Sequence, residues 1–273
     1  MILVIASPNS YAAKRLVEEA KKFNIPLEII SAATLAKGSF KIDVKKYKAL
    51  YIRSPYVKGK AKFLAQIIKL AKNFKIAGKK VVDANIANGQ LGQGKWEDYL
   101  KLAQANLPIP GTMKMRSRAF SEYGHPFILK WQFGMGSKNV FLIGDDNQFK
   151  KTLPLHPKKE WLVQEFVKAD CEYRVITVGY KALPVVLKYK LLPSGFGIDY
   201  YSGKAIKSSS IPKIIAIAQK SAKLLGRELS KIDILQKGNN IYILEVNRFP
   251  GLETFEELTK YNVIKRFLAY LNL

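Results

Sequence analysis

The stretch from residue 231 to residue 251 reads Lys-Ile-Asp-Ile-Leu-Gln-Lys-Gly-Asn-Asn-Ile-Tyr-Ile-Leu-Glu-Val-Asn-Arg-Phe-Pro-Gly. Two short apolar runs flank a polar turn at residues 237–240, which predicts a pair of antiparallel strands. Asp233 lies in the first strand, and Glu245 and Asn247 lie near the end of the second. Glu245 and Asn247 are two residues apart, so their side chains share one face. The hairpin therefore brings three oxygen-bearing side chains to one end.

Two carboxylates and an amide oxygen are hard ligands of the kind that Mg²⁺ takes alongside nucleotide phosphates. The alternative is a hairpin with polar residues on its solvent face, because the Glu-x-Asn pattern is common. Taken alone, the spacing favours this alternative.

Composition limits the class of protein. The chain has 273 residues, of which 48% are hydrophobic, enough for two or three compact subdomains. Its single cysteine, Cys171, excludes a disulfide framework. The sequence shows neither an apolar run of about 18 residues nor a charged-then-apolar leader. We therefore expect a soluble, cytoplasmic protein without a membrane partner.

The formal net charge is +25, and residues 1–80 contribute most, with 18 basic and 4 acidic side chains. Such an excess indicates an acidic partner, namely nucleic acid, an acidic peptide or a polyphosphate ligand. A lysine-biased proteome gives the same excess. Of the 46 basic residues 38 are Lys and only 8 are Arg, whereas recognition of phosphates and bases favours Arg. A dedicated nucleic-acid site is therefore disfavoured, although the charge leaves it open.

The order of apolar segments predicts three subdomains. Strands and helices alternate over about the first 85 residues, which is typical of a small open parallel sheet. A Gly- and Asn-rich stretch at residues 84–94 then marks a boundary, and short strands, a helix and the hairpin follow. We place the subdomains at residues 1–88, 89–160 and 161–273.

A second signal lies in residues 126–140, where a strand containing Lys130 runs into a glycine-rich turn at Gly134, Gly136 and Ser137. Such a turn exposes backbone N–H groups and closes over phosphates without a side-chain clash. Lys130 would add a point charge near the phosphates. The alternative is an ordinary hairpin with a glycine turn, and the segment in isolation favours it.

Taken in order, these segments resemble the ATP-grasp superfamily, and within it the RimK-type and LysX-type glutamate ligases. Lys95 precedes the Leu-Pro-Ile-Pro-Gly-Thr stretch that ends at Thr112, as that family's first nucleotide lysine does. Lys130 and Gly134 match its second lysine and phosphate loop. The resemblance implies an ATP-grasp fold of mixed α/β and α+β character. It consists of an N-terminal open parallel α/β subdomain, a small central α+β subdomain, and a C-terminal α+β subdomain with an antiparallel sheet.

The resemblance also implies a nucleotide and metal site. Its cofactor-binding residues are Lys95, Lys130, Gly134, Gly136, Ser137, Gln164, Glu165, Phe166, Val167, Glu172 and Asp199. The backbone of the segment at residues 161–167 would contact adenine, and Glu172 would bind the ribose. Asp233, Glu245 and Asn247 would hold Mg²⁺, with two ions expected and Mn²⁺ as an alternative.

Several positions depart from the family pattern. Trp131 replaces a usual proline, Asn139 a usual glycine, and Gly197 and Asp199 replace a usual arginine and asparagine. The departures at Gly197 and Asp199 lie on the side of the acyl acceptor, so they leave the substrate open more than the ATP chemistry.

The function implied is that of an ATP-dependent carboxylate–amine ligase that works through an acyl phosphate. It would attach glutamate or a similar amino acid to a peptide, protein or small amine, and the basic surface would suit an acidic acceptor. Arg248, Arg174 and Lys190 are the candidates for contacting the acyl phosphate or the carboxylate. The alternatives are a ligase that crosslinks a ribosomal precursor peptide and an inactive nucleotide- or nucleic-acid-binding protein. The sequence leaves the oligomeric state open.

Overall fold

The structure is a computed structural model that describes residues 1–37, 42–56, 63–91, 94–115, 124–134 and 139–272. Within these ranges, no helix combines the length and the apolar character needed to cross a membrane.

The N-terminal sheet is parallel, with strand order β2-β1-β3-β4, as the alternating pattern predicts. Its strands and helices are β1 (Ile2–Ile5), α1 (Tyr11–Lys22), β2 (Leu27–Ile30), α2 (Ala32–Leu35), β3 (Ala49–Ile52), α3 (Phe63–Ile76) and β4 (Lys80–Val81). Every residue of β1 and β3 is buried, because helices cover both faces of a parallel sheet. Ser10 caps α1 by accepting a hydrogen bond from the Ala13 N–H.

The central sheet is antiparallel and has the order β5-β8-β6-β7. This region comprises α4 (Lys95–Gln104), β5 (Thr112–Lys114), β6 (Phe127–Trp131), β7 (Val140–Ile143), α5 (Asp146–Thr152) and β8 (Trp161–Glu165). The predicted boundary at residue 161 placed β8 in the C-terminal subdomain. The structure instead pairs β8 with β5 and β6, because its fully buried Trp161 lies in the core of the central sheet. The central sheet therefore ends at Glu165.

The C-terminal sheet is antiparallel, with order β12-β11-β9-β13-β14 and β10 paired to β9. Its elements are β9 (Cys171–Val178), β10 (Lys181–Ala182), β11 (Val185–Lys190), β12 (Lys204–Lys207), α6 (Pro212–Leu224), β13 (Leu229–Lys237), β14 (Asn240–Asn247), α7 (Glu253–Thr259) and α8 (Val263–Asn272). The predicted hairpin is β13–β14. Its turn uses Gly238 at φ +55°, a conformation that glycine adopts without strain.

The first and last subdomains share one hydrophobic core. Phe267 and Leu268 of α8 pack with Val4 and Leu16 of the N-terminal subdomain, and Ile176 of β9 belongs to the same cluster. The three subdomains are therefore not independent units in series. This shared core places the segment that follows β14 against the N-terminal sheet.

Candidate active site

Lys95 begins α4 and contacts two other predicted site residues, Gly134 and Glu245. Its Nζ donates to the Gly134 carbonyl at 2.6 Å and lies 2.7 Å from Glu245 Oε1. The backbone N–H of Lys95 also donates to the Gln132 carbonyl at 3.1 Å. The hairpin of β13 and β14 carries the predicted metal ligands, and we call it the metal hairpin. The start of α4, the loop after β6 and the metal hairpin thus meet at one point, although they are far apart in sequence.

Gly94, the residue before Lys95, packs closely against Gln132. A Cβ atom on Gly94 would lie 2.5 Å from Gln132 Oε1, so a larger residue there would require the Gln132 side chain to shift. Gly136 and Ser137, which the sequence places in the phosphate loop, lie outside the described residues.

Lys130 is buried on β6, and its Nζ donates to the Tyr99 hydroxyl at 3.0 Å. That hydroxyl in turn donates to the Leu244 carbonyl at 2.7 Å, next to Glu245. Burial lowers the pKa of Lys130 to about 8, although the nearby Glu245 carboxylate acts in the opposite direction. Lys130 therefore keeps its charge at neutral pH only by a narrow margin.

The three predicted metal ligands lie together. Asp233 on β13 is the register partner of Glu245 on β14, with an irregularity between Asp233 and Ile234. Asn247 Nδ2 donates to Asp233 Oδ2 at 3.0 Å, and Lys231 Nζ lies 3.1 Å from the same oxygen. Across the described residues, no group of three or more His, Cys, Asp or Glu side chains is placed to hold a metal ion. The predicted set differs from such a group because it contains two carboxylates and one amide.

The electrostatics of these residues fit a divalent cation. Burial raises the pKa of Asp233, and Glu245 adds to the rise, while Lys231 and Arg174 oppose it. Asp233 Oδ1 is buried and accepts no hydrogen bond from the described residues. Arg174 Nε lies 3.7 Å from this oxygen. A buried carboxylate oxygen without a donor is costly, and a hard cation would satisfy it.

Three lysines surround the Glu245 carboxylate. Burial is the largest single effect and would raise its pKa, but Lys95, Lys130 and Lys231 together outweigh it, so the pKa of Glu245 is lowered. Glu245 is therefore ionised and able to bind a cation at neutral pH.

Glu172 and Arg174 lie on β9, beside the metal hairpin. Arg174 Nε donates to Glu172 Oε1 at 3.0 Å, and its guanidinium lies over the rings of Tyr189 and Tyr200, 5.0 and 5.5 Å from their centroids. Burial raises the pKa of Glu172 to about 7, and Asp233 adds to the rise. Glu172, predicted to bind ribose, thus belongs to the same carboxylate cluster as Asp233.

The predicted adenine segment lies where β8 leaves the central sheet. Gln164 Nε2 donates to Thr112 Oγ1 at 2.7 Å, and Glu165 Oε2 accepts from the Gly111 N–H at 3.1 Å. The pairing with β6 ends at Glu165, so Phe166 and Val167 are not part of the ladder.

Asp199, predicted to bind the cofactor, lies at the start of a short turn. Its Oδ1 accepts from the Tyr201 N–H at 3.0 Å and caps that turn.

The three candidate catalytic residues lie in different surroundings. Arg248 Nη1 donates to the Gln90 carbonyl at 2.7 Å, and its Nε lies 3.5 Å from Asp83 Oδ2. Lys190 is exposed near the end of β11. Arg248 lines the cavity described next, whereas Lys190 and Arg174 do not.

A cavity of about 600 Å³ lies between the N-terminal subdomain, the loop after β6 and the metal hairpin. A volume of this size is typical of small-molecule sites. The predicted site residues that line it are Lys95, Gly134, Glu245, Asn247 and Arg248. Lys130, Glu172 and Asp233 are not among the described lining residues.

Sequence reasoning missed several residues of this site, including Lys231, Tyr99 and Asp83. Lys231 precedes Asp233 by two residues on a strand, a spacing that indicates a shared face. Tyr99 follows Lys95 by four residues on a helix, which also indicates a shared face. No local pattern connects Asp83 with Arg248, because they belong to different subdomains.

Comparison with known proteins agrees with this fold. The RimK-like ATP-grasp domain matches residues 101–271. The solved ATP-grasp ligase PsnB, complexed with a minimal precursor, superposes with a TM-score of 0.77 at 16% identity, over 99% of this chain and 97% of that one. The chain belongs to the RimK-like ATP-grasp family.

Curated relatives are named probable alpha-L-glutamate ligases. The relative from Legionella pneumophila (strain Corby) is 28% identical over 190 residues, which cover 65% of this chain and 62% of that protein. The relative from Haemophilus ducreyi is 22% identical over 301 residues, covering 99% of this chain and 98% of that protein. The match to the Legionella protein thus spans less than two thirds of its length.

Proposed function

We propose that the protein is an ATP-dependent carboxylate–amine ligase that forms an amide bond through an acyl phosphate. The observation that carries the proposal is the meeting of Lys95, Lys130 and Glu245 beside the cavity. Lys95 contacts Glu245 directly, and Lys130 reaches the adjoining strand through Tyr99. A site with two lysines and a cluster of carboxylates is suited to a triphosphate bound with divalent cations.

The charges of the chain's own residues suit each step. Lys95 and Lys130 would neutralise triphosphate oxygens while a substrate carboxylate attacks the γ-phosphoryl group. This step forms the acyl phosphate and releases ADP. An amine then attacks the acyl carbon, the C–O bond to phosphate breaks, and the products are an amide and inorganic phosphate. Arg248, which lines the cavity, would stabilise charge on the acyl phosphate.

Asp233, Glu245 and Asn247 would hold Mg²⁺, and we propose two ions. Bound Mg²⁺ would neutralise phosphate charge and polarise the γ-phosphoryl group. The buried Asp233 Oδ1, which accepts no hydrogen bond from the described part of the chain, supports this assignment.

The names of the relatives make glutamate the first amino acid to test as a substrate, with a peptide, protein or small amine as the acceptor. A second candidate is modification of a precursor peptide, which the complex of PsnB with its minimal precursor favours.

The test is ADP release measured across a panel of amino acids and acidic peptides, with mass analysis of the products. We expect ADP and phosphate to form in step with an amide, and only when both a carboxylate and an amine are present. ADP release that is independent of every substrate, with no amide product, would contradict the proposal.

A further inference from the structure

The cavity is lined by both charged and apolar residues. The charged residues come mainly from the metal hairpin and α4. Four of the apolar ones, which we call the apolar wall, are Tyr56, Leu64, Leu91 and Phe249. The rings of Tyr56 and Phe249 meet edge to face, with centroids 6.5 Å apart. Because these residues come from four separate segments, the wall is a product of the tertiary fold.

The wall is anchored yet accessible. Leu64 and Phe249 pack against the core of the N-terminal subdomain, and Leu91 is part of that core. Tyr56 is 48% exposed. Apolar surface that faces a cavity beside a reactive site indicates contact with an apolar part of a ligand.

The cations that line the cavity already have partners. Lys95 pairs with Glu245, Lys231 with Asp233, Arg227 with Asp98 and Arg248 with Asp83. The Arg227–Asp98 pair is bidentate, with Nη2–oxygen distances of 2.7 and 2.8 Å. A second carboxylate, such as that of glutamate, would therefore have to compete with these ion pairs for a cation of the described lining.

We propose that the substrate in this cavity carries an aliphatic or aromatic side chain that contacts the apolar wall. A neutral apolar amino acid, or an apolar residue of a peptide, is therefore preferred over glutamate. The inference rests on the proposed function, since the substrate carboxylate would be activated beside the charged residues of the metal hairpin and α4. The apolar wall then selects the side chain of the same substrate.

Binding can be measured apart from turnover. Calorimetric titration uses the full chain with Mg²⁺ and a non-hydrolysable ATP analogue, and the probes are leucine, phenylalanine and glutamate. We expect leucine or phenylalanine to bind at least about tenfold more tightly than glutamate, the scale of discrimination in an apolar pocket. Equal or tighter binding of glutamate, or no binding of either apolar probe, overturns the inference. Absence of ADP release with every amino acid counts against the proposed function instead, because the ranking of the three affinities is measured separately by calorimetry.

Two variants locate the effect at the wall. Leu64→Gln keeps the side-chain size but introduces an amide near the start of α3, and we expect leucine affinity to fall about tenfold. Ile76→Gln is the matched control, because Ile76 ends the same helix and is 77% exposed. Tyr56→Ala is the second wall variant, since a half-exposed residue is less important for folding. Leucine affinity like that of wild type in both wall variants overturns the inference.

Discussion

Lys95 Nζ lies 2.7 Å from Glu245 Oε1, and this ion pair joins the start of α4 to the metal hairpin. Lys95 Nζ occupies the position beside Glu245 Oε1 where a metal cation would bind. When a triphosphate binds, we expect Lys95 to turn to the phosphate oxygens and leave Glu245 to the metal. The charges at the site would thus stay balanced. Lys95 neutralises Glu245 before nucleotide binding, and the phosphates and the metal take over as their partners afterwards.

Glu245→Gln should reduce turnover by about 10²–10³, the usual cost of removing one preorganised electrostatic contact. The change keeps the size of the side chain but removes a negative charge that would bind metal. ATP should still bind through Lys95 and Lys130, so the loss should appear in kcat when ADP release is measured.

Glu18→Gln is a suitable control for this variant, because the Glu18 side chain is 56% exposed and pairs only with Arg15 among the described residues. Exposed ion pairs contribute little. If Glu245→Gln turns over like the control, the metal assignment is wrong.

Removal of divalent cations should weaken ATP binding. The carboxylates of Asp233 and Glu245 would repel the triphosphate unless a cation lies between them. Calorimetric titration with Mg²⁺, with Mn²⁺ and with excess chelator measures the effect. Equal ATP affinity with Mg²⁺ and with chelator would contradict the proposed metal site.

ATP affinity should fall as the pH rises through about 8. Burial lowers the pKa of Lys130 from 10.5 to about 8, so the side chain loses its charge in this range, and only Glu245 acts to retain it. Because the folded pKa lies below the unfolded one, the buried charge costs stability below pH 8. That cost is relieved as the pH rises from 8 towards 10.5.

Lys130→Met is the comparison for this prediction, because methionine has a similar length and no charge. Its ATP affinity, measured by calorimetry at pH 7 and pH 9, should be weaker and should change less with pH. A parallel loss of affinity in wild type and variant would assign the pH dependence to another group.

Asp83→Asn should lower turnover about tenfold while ATP affinity stays the same. Asp83 Oδ2 lies 3.5 Å from Arg248 Nε, and Oδ1 accepts from the Glu228 N–H at 2.6 Å. Asparagine can still accept from Glu228 but cannot carry the negative charge that attracts the guanidinium, and a tenfold loss of turnover corresponds to about 1.4 kcal/mol.

Asp146→Asn is the control for Asp83→Asn, since the Asp146 side chain is 78% exposed. Steady-state ADP release and calorimetry separate the two effects. A change in ATP affinity without a change in kcat would show that Asp83 does not act through Arg248.

Duplex DNA should bind weakly, without sequence preference, and with an affinity that falls steeply as salt rises. The net charge of +25 is mostly lysine, which attracts phosphates without reading bases. Fluorescence anisotropy over a salt series measures this. Nanomolar, sequence-selective binding at physiological salt would favour a nucleic-acid function.

The sequence by itself determined the local elements and the order of the motifs. Alternating apolar runs gave the parallel sheet, and the turn at Gly238 gave the hairpin with Asp233 opposite Glu245. These features depend on periodicity and turn chemistry, which short segments carry on their own.

Only the tertiary structure decided which residues meet across segments. It paired Lys95 with Glu245 and Arg248 with Asp83, moved β8 into the central sheet, and packed α8 beside β1. It also assembled the apolar wall from four separate segments. The physical reason is that ion pairing and burial depend on distances in space. The local pattern of a chain fixes which face a side chain lies on, but not which distant residue that face will contact.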